Sequence, residues 1–540
     1  MIELLSKLGY HDLYQAAGMD KINALQKLVN IKGDDTDFDS SKLSKQVLAI
    51  YGYDLLYEQK IRHLIFTLIN EVTLKKLALK YSKKVYDKPY DNALVLSLHP
   101  WKAGSQLISE VVKELCIPKE YLPLKTNVNQ TIEIVEPIDP LFDLQPFQKQ
   151  LKDKILNNMS SDTRRFLVQM PTGSGKTRTV IESIYEYICS ENTFTNQESI
   201  LWVAHTEELC EQAIDTFKDI WQNYANQPAQ IVRCWGTYQP ISLDCIGSFI
   251  VATFQKLNIL SQKNPEIFTF LQKSVRIVVV DEAHKVIAPT YERVINKLSK
   301  NSILIGITAT PGRSYSKSKE NLNLAKYFEK NLVSLNFTEN PITELRNKGV
   351  LSTICRKIIE TEVKVSIERD DREEMADSYD LPSRIIKTLA NNVARNRIIL
   401  DIICNELQNG NPCLVFSCSI EHSRLLSAAI GYRGCNSGYV DCNMRKGSRK
   451  RIISGFKKGE YDVLFNYGVL TTGFDAPRIK SVIIARPTAS IVLYSQMIGR
   501  GLRGPLMGGT EKCNVIDIKD NYLNFGGVED VYSFFEEYWQ

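Results

Sequence analysis

A short apolar run that leads directly into a glycine-rich segment is the strongest constraint on how this 540-residue chain folds. The run is Phe166-Leu-Val-Gln-Met170, and the segment after it reads Pro171-Thr-Gly173-Ser-Gly175-Lys176-Thr177. Glycine at two positions permits a tight turn in which successive backbone N–H groups point at one place. The helix expected after the turn adds the partial positive charge of its N-terminus. The pattern therefore predicts a strand, a loop that binds phosphate groups and a helix.

The residues of this loop have separate expected roles. Lys176 is expected to reach the β- and γ-phosphates of a nucleotide, and Thr177 to offer its hydroxyl to Mg²⁺. The stricter pattern begins with glycine, whereas Met170 occupies that position here. The alternative is an ordinary strand–helix turn, which the apolar run before the loop disfavours. The residues expected to contact the nucleotide are Pro171, Thr172, Gly173, Ser174, Gly175, Lys176 and Thr177.

An acidic segment, Asp281-Glu-Ala-His284, follows the apolar run Arg276–Val280. It would lie at the carboxyl end of a buried strand, where open parallel sheets bind their ligands. Asp281 is expected to hold Mg²⁺, and Glu282 to position or deprotonate the attacking water. His284 belongs to the same candidate catalytic set. The alternative, a solvated acidic turn, is disfavoured by the phosphate loop upstream.

Short apolar runs alternate with helical stretches from residue 142 onward. Near-continuous apolar runs are typical of parallel strands buried on both faces, and the alternation predicts two tandem α/β domains with doubly wound parallel sheets. The expected strands are 166–170, 200–204, 249–253, 276–280 and 303–308, then 413–417, 462–466, 481–485 and 514–518. Before them, segments such as Ser41–Ile50 and Ile61–Lys80 predict a mainly helical N-terminal domain. We expect domains at residues 1–135, 136–340 and 341–522, with a short tail at 523–540.

Two arginines, Arg500 and Arg503, are three residues apart and would share one face of a helix. The planar guanidinium group donates two hydrogen bonds to phosphate oxygens, which suits a phosphoryl transition state. Because the pair is placed in the second domain, it would reach the γ-phosphate only when the domains close. A surface salt bridge is the alternative interpretation.

The composition is that of a globular protein, with 44% hydrophobic residues, 24% charged residues and a net charge of +5. A basic surface must therefore be local, and two segments are candidates: Leu74–Lys80 with the lysines that follow it, and Arg445–Arg451. In each case the alternative is a solvated helix face.

Cys413 and Cys418 suggest small buried side chains rather than zinc ligands. Reduced thiols, no membrane-spanning run and no secretion signal lead us to expect a cytoplasmic protein without membrane contact.

Taken in order, these segments resemble the superfamily 2 helicases and translocases, in particular the branch with the Asp-Glu-Ala-His motif. That branch includes type I and III restriction translocases, phage recombination helicases and excision-repair helicases. The resemblance covers about residues 142–520. It implies two RecA-like domains and the cofactors ATP and Mg²⁺. Leu144-Gln-Pro-Phe-Gln148 is similar to the family's Leu-Arg-Pro-Tyr-Gln segment, which implies that Gln148 reads adenine, although Gln145 and Phe147 differ.

The same resemblance implies roles for several loops. Ala204–Leu209 and Ala252–Gln255 are similar to loops that contact the sugar-phosphate backbone, and Thr308-Ala-Thr310 to the segment that couples hydrolysis to domain movement. Phe416–Ser419 falls at the family's fourth motif. The fifth motif, which contacts the backbone and senses nucleotide, corresponds to Thr471, Thr472, Gly473 and Asp475.

These features predict an ATP-dependent motor that contacts nucleic acid without reading its sequence. DNA is favoured over RNA because only 37 residues follow Arg503, too few for the carboxy-terminal domains of RNA-processing relatives. The Gly499–Gly504 segment is also similar to the restriction and repair branch, so repair or anti-phage defence is an expectation by analogy. Two alternatives remain: an ATPase switch that opens no strands, and the motor subunit of a helicase–nuclease complex. Residues 1–135 are the expected contact with a protein partner.

Overall fold

The fold is described from a computed structural model. It covers residues 1–29, 39–123, 132–135, 143–190, 198–225, 228–238, 241, 245, 247–312, 318–335, 341–361, 363, 368, 370–371, 374, 381–470, 474, 476–488 and 490–518. The predicted tail at 523–540 lies outside these residues. None of the helices in the described ranges combines the length and the apolarity that crossing a bilayer requires.

The N-terminal region is helical, as predicted. Its described α-helices are α1 Ile2–Ser6, α2 Tyr10–Ala16, α3 Met19–Leu28, α4 Ser40–Tyr51, α5 Gln59–Phe66, α6 Glu71–Ser82, α7 Pro89–Ser97 and α8 Gln106–Glu114. Short 3₁₀ helices occupy Gly52–Tyr57 and Lys119–Tyr121. The segment 61–80, expected to be helical, is shared between α5 and α6, because the Asn70 side chain accepts the Val72 N–H at 2.9 Å and starts α6.

The first α/β domain has a sheet whose described strands follow the order β1-β4-β5-β3-β6-β7-β2-β8. β1 runs antiparallel to β4, and the other described pairs in the sheet are parallel. β1 comes from the region expected to be helical and extends the edge of this sheet instead. The strands are β1 Ile132–Val135, β2 Arg165–Gln169, β3 Ser199–Ala204, β4 Ala229–Cys234, β5 Ser248–Thr253, β6 Val275–Asp281, β7 Ile303–Thr308 and β8 Leu332–Val333.

Helices cover both faces of this sheet, and buried aliphatic and aromatic side chains fill the layers on either side of it. The helices are α9 Pro146–Met159, α10 Lys176–Ser190, α11 Glu207–Tyr224, α12 Phe254–Lys263, α13 Pro265–Ser274, α14 Pro289–Leu298 and α15 Ser318–Tyr327, with a 3₁₀ turn at Ala283–Lys285. The next helix, α16 Pro341–Asn347, precedes the first strand of the second sheet. The carboxyl ends of β2, β6 and β7 lie side by side, and this edge carries the candidate site.

The second α/β domain has a parallel sheet whose described strands follow the order β11-β12-β10-β13-β14-β9. Its strands are β9 Thr353–Ile359, β10 Cys413–Phe416, β11 Ser437–Asp441, β12 Val463–Tyr467, β13 Ser481–Ile484 and β14 Lys512–Ile518. Its helices are α17 Ser383–Ala390, α18 Val393–Gln408, α19 Ile420–Tyr432, α20 Lys446–Lys458 and α21 Ile491–Ile498, with 3₁₀ turns at Gly499–Gly501 and Pro505–Met507. The predicted fold class, two parallel-sheet domains after a helical region, is confirmed.

The N-terminal helices pack on the second α/β domain. One continuous cluster of buried apolar side chains joins Leu25 and Val47 to Ile403 and Leu426. The Arg397 side chain of α18 also donates to the Lys27 carbonyl oxygen, at the end of α3, at 2.6 Å. A shared core of this kind makes the helical region move together with the second domain.

Candidate nucleotide site

The phosphate loop connects β2 to α10 in the conformation that its glycines permit. Gly173 and Gly175 have φ values of +85° and +86°, which non-glycine residues rarely adopt. A Cβ atom on Gly175 would overlap the Gln148 side-chain amide. The Ser174 hydroxyl donates to the Pro171 carbonyl oxygen at 2.7 Å and closes the loop on itself. The loop thus has the tight backbone turn that phosphate-binding loops require.

Lys176 is the first residue of α10, and its ammonium donates to the Pro171 carbonyl oxygen at 3.3 Å. Burial lowers the pKa of Lys176, while the nearby carboxylates of Glu282 and Asp281 oppose that shift. Arg500 of the second domain lowers the pKa of Lys176 further. The structure therefore brings together charges from both domains around this ammonium.

The acidic segment begins at the last residue of β6, as predicted from the apolar run before it. Burial raises the pKa of Asp281 to about 7, the Glu282 carboxylate adds to the rise, and Lys176 opposes it. Glu282 adopts φ 52° and ψ 51°, and its N–H donates to Asp281 Oδ1 at 2.9 Å. A left-handed conformation at a glutamate costs about 1–3 kcal/mol, and such strain concentrates at functional sites.

His284 connects the acidic segment to the end of β7. Its Nδ1 atom lies 3.2 Å from Thr308 Oγ1 and 3.4 Å from Glu282 Oε2. The Thr308 hydroxyl donates to the Thr310 carbonyl oxygen at 2.9 Å and accepts the Thr310 N–H at 3.1 Å. Because the hydroxyl has only one proton, it accepts from His284, and Nδ1 is the protonated nitrogen. A hydrogen bond to Thr308 and a 3.4 Å contact with Glu282 thus place His284 between Glu282 and the segment that is expected to couple hydrolysis to movement.

The residues present fit ATP and Mg²⁺. Across the described ranges, no three His, Cys, Asp or Glu side chains converge to hold a metal ion on their own. Mg²⁺ is usually held by one or two carboxylates together with substrate phosphates, so a single aspartate suffices. Asp281 and Thr177 would hold the ion, and the phosphate loop with Lys176 would hold the phosphates. Bound Mg²⁺ would neutralise charge on the phosphate oxygens.

The second domain covers this loop. A Cβ atom on Gly499 would come within 2.7 Å of Thr172 Cβ, and one on Gly173 would lie 3.7 Å from the Arg503 backbone nitrogen. The Arg500 guanidinium donates to the carbonyl oxygens of Phe474 at 2.7 Å and Gln496 at 3.3 Å. The close approach of Gly499 to the loop was not predicted, because the sequence shows the glycine but not its partner.

Arg500 and Arg503 do not share a helix face. α21 ends at Ile498, a 3₁₀ turn covers Gly499–Gly501, and Arg503 forms an antiparallel bridge with Leu351. The Arg503 carbonyl oxygen accepts the Ser352 hydroxyl at 2.6 Å and the Thr510 N–H at 2.9 Å. These contacts draw the backbone out of the helix, so the prediction of one shared face was wrong. Both arginines nonetheless belong to the segment that lies on the phosphate loop.

Gln148 is attached to the loop rather than directed away from it. Its amide donates to the Ser174 carbonyl oxygen at 3.1 Å, and its carbonyl accepts the Gln145 N–H at 2.9 Å. The bond to Gln145 forms part of a capping box that begins α9. Thr471, Thr472, Gly473 and Asp475, which were expected to contact nucleotide or nucleic acid, lie outside the described residues.

The two expected tracking loops begin helices. The hydroxyl of Thr206 accepts the Leu209 N–H and starts α11, and the hydroxyl of Thr253 accepts the Lys256 N–H and starts α12. His205 belongs to the first of these loops, and its ring lies 5.8 Å from that of Phe254 in the second loop and 5.5 Å from that of Tyr291. Burial, with smaller contributions from Lys285 and His284, lowers the pKa of His205 to about 4. A neutral imidazole of the first tracking loop thus contacts the second, which the sequence did not reveal.

The candidate basic segments have partners within the chain. Lys75 pairs with Glu71 at 2.8 Å and Lys80 with Glu110 at 2.6 Å, so that run forms an ion-paired helix surface. The segment from Arg445 to Arg451 lies where all three domains meet, and Arg445, Lys446 and Lys450 in it are exposed. Lys446 pairs with Glu207 at 2.5 Å, and Arg449 pairs with Glu208, both at the start of α11 in the first domain.

Two family models match the chain. Residues 141–313 match the model described as "Type III restriction enzyme, res subunit", and residues 394–504 match "Helicase conserved C-terminal domain". Together the matched ranges contain the phosphate loop, the acidic segment and both arginines. They agree with the two α/β domains of the structure.

Similar proteins include two yeast relatives. The Saccharomyces cerevisiae protein named "Putative ATP-dependent helicase IRC3" is 28% identical over 402 residues, covering 72% of this chain and 53% of the relative. The Schizosaccharomyces pombe protein named "Putative mitochondrial ATP-dependent helicase irc3" is 25% identical over 386 residues, covering 70% of this chain and 57% of the relative. The chain thus spans about half the length of these curated relatives.

A solved structure of S. cerevisiae Dbp5 bound to RNA and ADP BeF3 superposes with a TM-score of 0.46 at 15% identity, covering 73% of this chain and 92% of that one. The family expectation itself is confirmed by the two domain matches, which occur in the order that the motifs predicted. The chain therefore has both helicase domains in the order found in the superfamily 2 helicases that its motifs resemble.

Proposed function

We propose that this chain is an ATP-dependent motor that hydrolyses ATP between its two α/β domains and moves along nucleic acid. One observation carries the proposal above the others: Gly499 and Arg503 of the second domain lie on the phosphate loop of the first. A hydrolytic site that is shared by two domains converts the presence or absence of a nucleotide into domain movement.

Each residue has a proposed part in this chemistry. The loop N–H groups and Lys176 bind the phosphates, and Asp281 with Thr177 holds Mg²⁺. Glu282 positions the attacking water and accepts its proton. The guanidinium groups of Arg500 and Arg503 stabilise the charge that develops on the γ-phosphate, once the domains have closed.

The coupling to nucleic acid is proposed to pass through His284 and Thr308. These residues link Glu282 to the end of β7, and β6 separates β7 from β3, the nearer of the two strands that carry the tracking loops. Neither of the two yeast relatives' printed names says which nucleic acid it acts on. We favour DNA on the resemblance of the Gly499–Gly504 segment to the restriction and repair branch, and place repair or defence as the setting by analogy.

The location in the cell is also part of the proposal. Reduced cysteines favour the cytoplasm, since the described cysteines form no disulfide. The name of the S. pombe relative refers to mitochondria, which is a second reducing compartment to test. Localisation of a tagged full-length chain separates the two.

An ATPase switch is the second candidate function, and the docking of the helical region on the second domain favours it. A region that shares a core with one motor domain can carry the movement of that domain to a partner without any strand opening. The third possibility, the motor subunit of a helicase–nuclease complex, has no observation of its own in the described residues.

The testing experiment measures ATP turnover with single-stranded DNA, duplex DNA, single-stranded RNA and duplex RNA, each alongside strand displacement and triplex displacement. Lys176→Ala is the negative control, because it lacks the ammonium group that binds the phosphates. Stimulation with strand displacement supports a helicase, and stimulation with triplex displacement alone supports a duplex translocase. Stimulation with neither supports the switch, and turnover that no nucleic acid changes contradicts the motor.

A further inference from the structure

A cleft of about 230 Å³ lies at the junction of the N-terminal helices and the second α/β domain. The helical side contributes three aromatic rings, and both sides contribute cations. The side chains that matter here are Tyr53, Tyr57, Trp101, Lys102, Arg445 and Arg451. None of them belongs to the candidate nucleotide site or to a motif that the family resemblance covers.

The rings and cations are held in place by one another. The Arg445 guanidinium lies 3.8 Å from the centre of the Tyr57 ring, and that of Arg451 lies 4.6 Å from the centre of the Tyr53 ring. The Trp101 indole is buried and donates to the Tyr121 carbonyl oxygen at 3.1 Å. These contacts orient the wall before any ligand arrives, which reduces the entropic cost of binding.

Part of the wall stays accessible. Tyr53 is 38% exposed, and Lys102 is also exposed. Among the described residues that line the cleft, Asp54 has the one carboxylate, and it accepts the Ser448 hydroxyl at 2.7 Å. Cations therefore outnumber carboxylates along the cleft, and it favours an anionic ligand.

The size of the cleft restricts the ligand. Sites for whole small molecules usually measure about 300–1,000 Å³, so a free nucleoside triphosphate would not fit inside. A single base or phosphate of a longer strand fits, because an open cleft lets the strand continue on either side. Aromatic faces combined with cations are the chemistry by which proteins bind single-stranded nucleic acid without regard to sequence.

The cleft is continuous with an expected path of the strand. Lys446 lines it and pairs with Glu207, in the Ala204–Leu209 loop that resembles a backbone-contacting loop. A strand that leaves this loop meets the ion pair and then the cleft. Phosphate oxygens can compete with Glu207 for the lysine, since both are anionic acceptors.

We infer that the cleft is a second, auxiliary binding site for single-stranded nucleic acid, in which a base stacks on Tyr53 and a phosphate pairs with Lys102. The inference rests on the proposed function, because the motor must already hold a strand. It assigns the N-terminal helices a direct part in holding that strand, in addition to any protein partner they have.

The test measures binding of a fluorescein-labelled 20-nucleotide oligo(dT) to the full chain by anisotropy, without ATP. Tyr53→Ala/Lys102→Glu is expected to weaken binding about tenfold or more, from loss of one stacked base and one phosphate contact. Tyr53→Phe keeps the ring face and is expected to bind like the wild type. The matched control is Tyr86→Ala/Lys113→Glu: Tyr86 is also 38% exposed, Lys113 is exposed, and the charge change is identical.

The outcomes separate the site from the motor. Wild-type affinity in the cleft variant, or an equal loss in the control, overturns the inference. The inference is also overturned if the cleft variant loses binding to labelled polyglutamate but still binds oligo(dT). That result would assign the cleft to an acidic protein. ATP turnover is measured on the same samples: if nucleic acid stimulates the wild type while the cleft variant binds normally, only the cleft site fails. If the wild type neither binds nor responds to nucleic acid, the proposed function fails.

Discussion

Gly499 of the second α/β domain lies so close to Thr172 of the phosphate loop that a Cβ atom on the glycine would come within 2.7 Å of the threonine Cβ. Contact this close leaves room for hydrogen only, so any larger side chain must push the domains apart. The relationship ties domain closure to one position in the chain. It also makes closure testable without removing a charged residue.

Gly499→Ala is expected to lower kcat by about 100-fold, because a displacement of about 1 Å between catalytic groups has that effect. Affinity for ATP should change little, since the loop itself is intact. Gly431→Ala, in α19 of the same domain, is the control. Its Cβ atom would lie 3.5 Å from Ser437 Oγ, an ordinary van der Waals distance. Steady-state turnover and binding of a non-hydrolysable ATP analogue are the measurements. Equal kcat in the two variants would show that closure does not require this contact.

Glu282→Gln is expected to bind ATP normally and to lose about 100- to 10,000-fold in turnover, the range typical for removal of a general base. The substitution keeps size and hydrogen bonding but cannot accept a proton. Glu360→Gln makes the same change in the second domain, away from the acidic segment, and is the control: its turnover should equal that of the wild type. Single-turnover hydrolysis measures the chemical step directly. Normal turnover in Glu282→Gln would assign water activation to another group.

Thr308→Val should separate nucleic-acid stimulation from basal turnover. Valine has the shape of threonine but leaves His284 and the Thr310 N–H without the hydroxyl that accepts from them. An unmade buried hydrogen bond costs about 1–3 kcal/mol, so thermal stability should fall as well. Thr308→Ser restores the hydroxyl and is expected to recover the stimulation. Stimulation that survives in Thr308→Val would remove this chain of hydrogen bonds from the coupling.

The buried His422 predicts a stability that falls in acid. Its Nδ1 atom accepts the Cys418 N–H at 3.1 Å, and Nε2 donates to Asn396 Oδ1 at 3.0 Å, so the folded state requires the neutral ring. Burial, with a smaller contribution from Arg395, lowers the pKa of His422 to about 3. The unfolded chain has the ordinary histidine pKa of about 6.5 and thus binds more protons between the two values.

The free energy of unfolding should therefore decrease as pH falls from about 6.5 towards 3, by an amount on the order of a few kcal/mol in total. Denaturant unfolding at pH 7.0 and 5.5 measures the change. His422→Gln should be less stable at neutral pH but show a smaller pH dependence. His11→Gln, at an exposed position in α2, should leave the dependence unaltered. An identical pH slope in the wild type and His422→Gln would contradict this origin.

Much of the parallel core could be predicted from the sequence, because strands buried on both faces are apolar at nearly every position. The expected strand 303–308 has the same bounds as β7, and 249–253 differs from β5 by one residue. β4 was not predicted, since the buried Arg233 interrupts its apolar pattern. That arginine pairs with Glu133 at 2.7 Å, a residue of β1 that is distant in sequence. β9 was not predicted either, because its side chains are mostly exposed.

The two halves of the candidate site differ in how far the sequence reveals them. The phosphate loop and the acidic segment are local patterns, since a few consecutive residues set their geometry. The contact of Gly499 with Thr172 and the pairing of Lys446 with Glu207 join residues of different domains. Such contacts depend on how the domains pack, and no local pattern of residues encodes that packing.

The most direct test of a site shared by two domains removes an arginine from the second domain and measures chemistry on the first. Arg503→Ala should retain ATP binding while turnover with saturating nucleic acid falls about 1,000-fold or more, as for other arginines that act on the γ-phosphate. Arg433→Ala, which removes an arginine paired with Asp401 far from the site, should turn over normally. Wild-type turnover in Arg503→Ala, with ATP and nucleic acid saturating, would contradict the shared site.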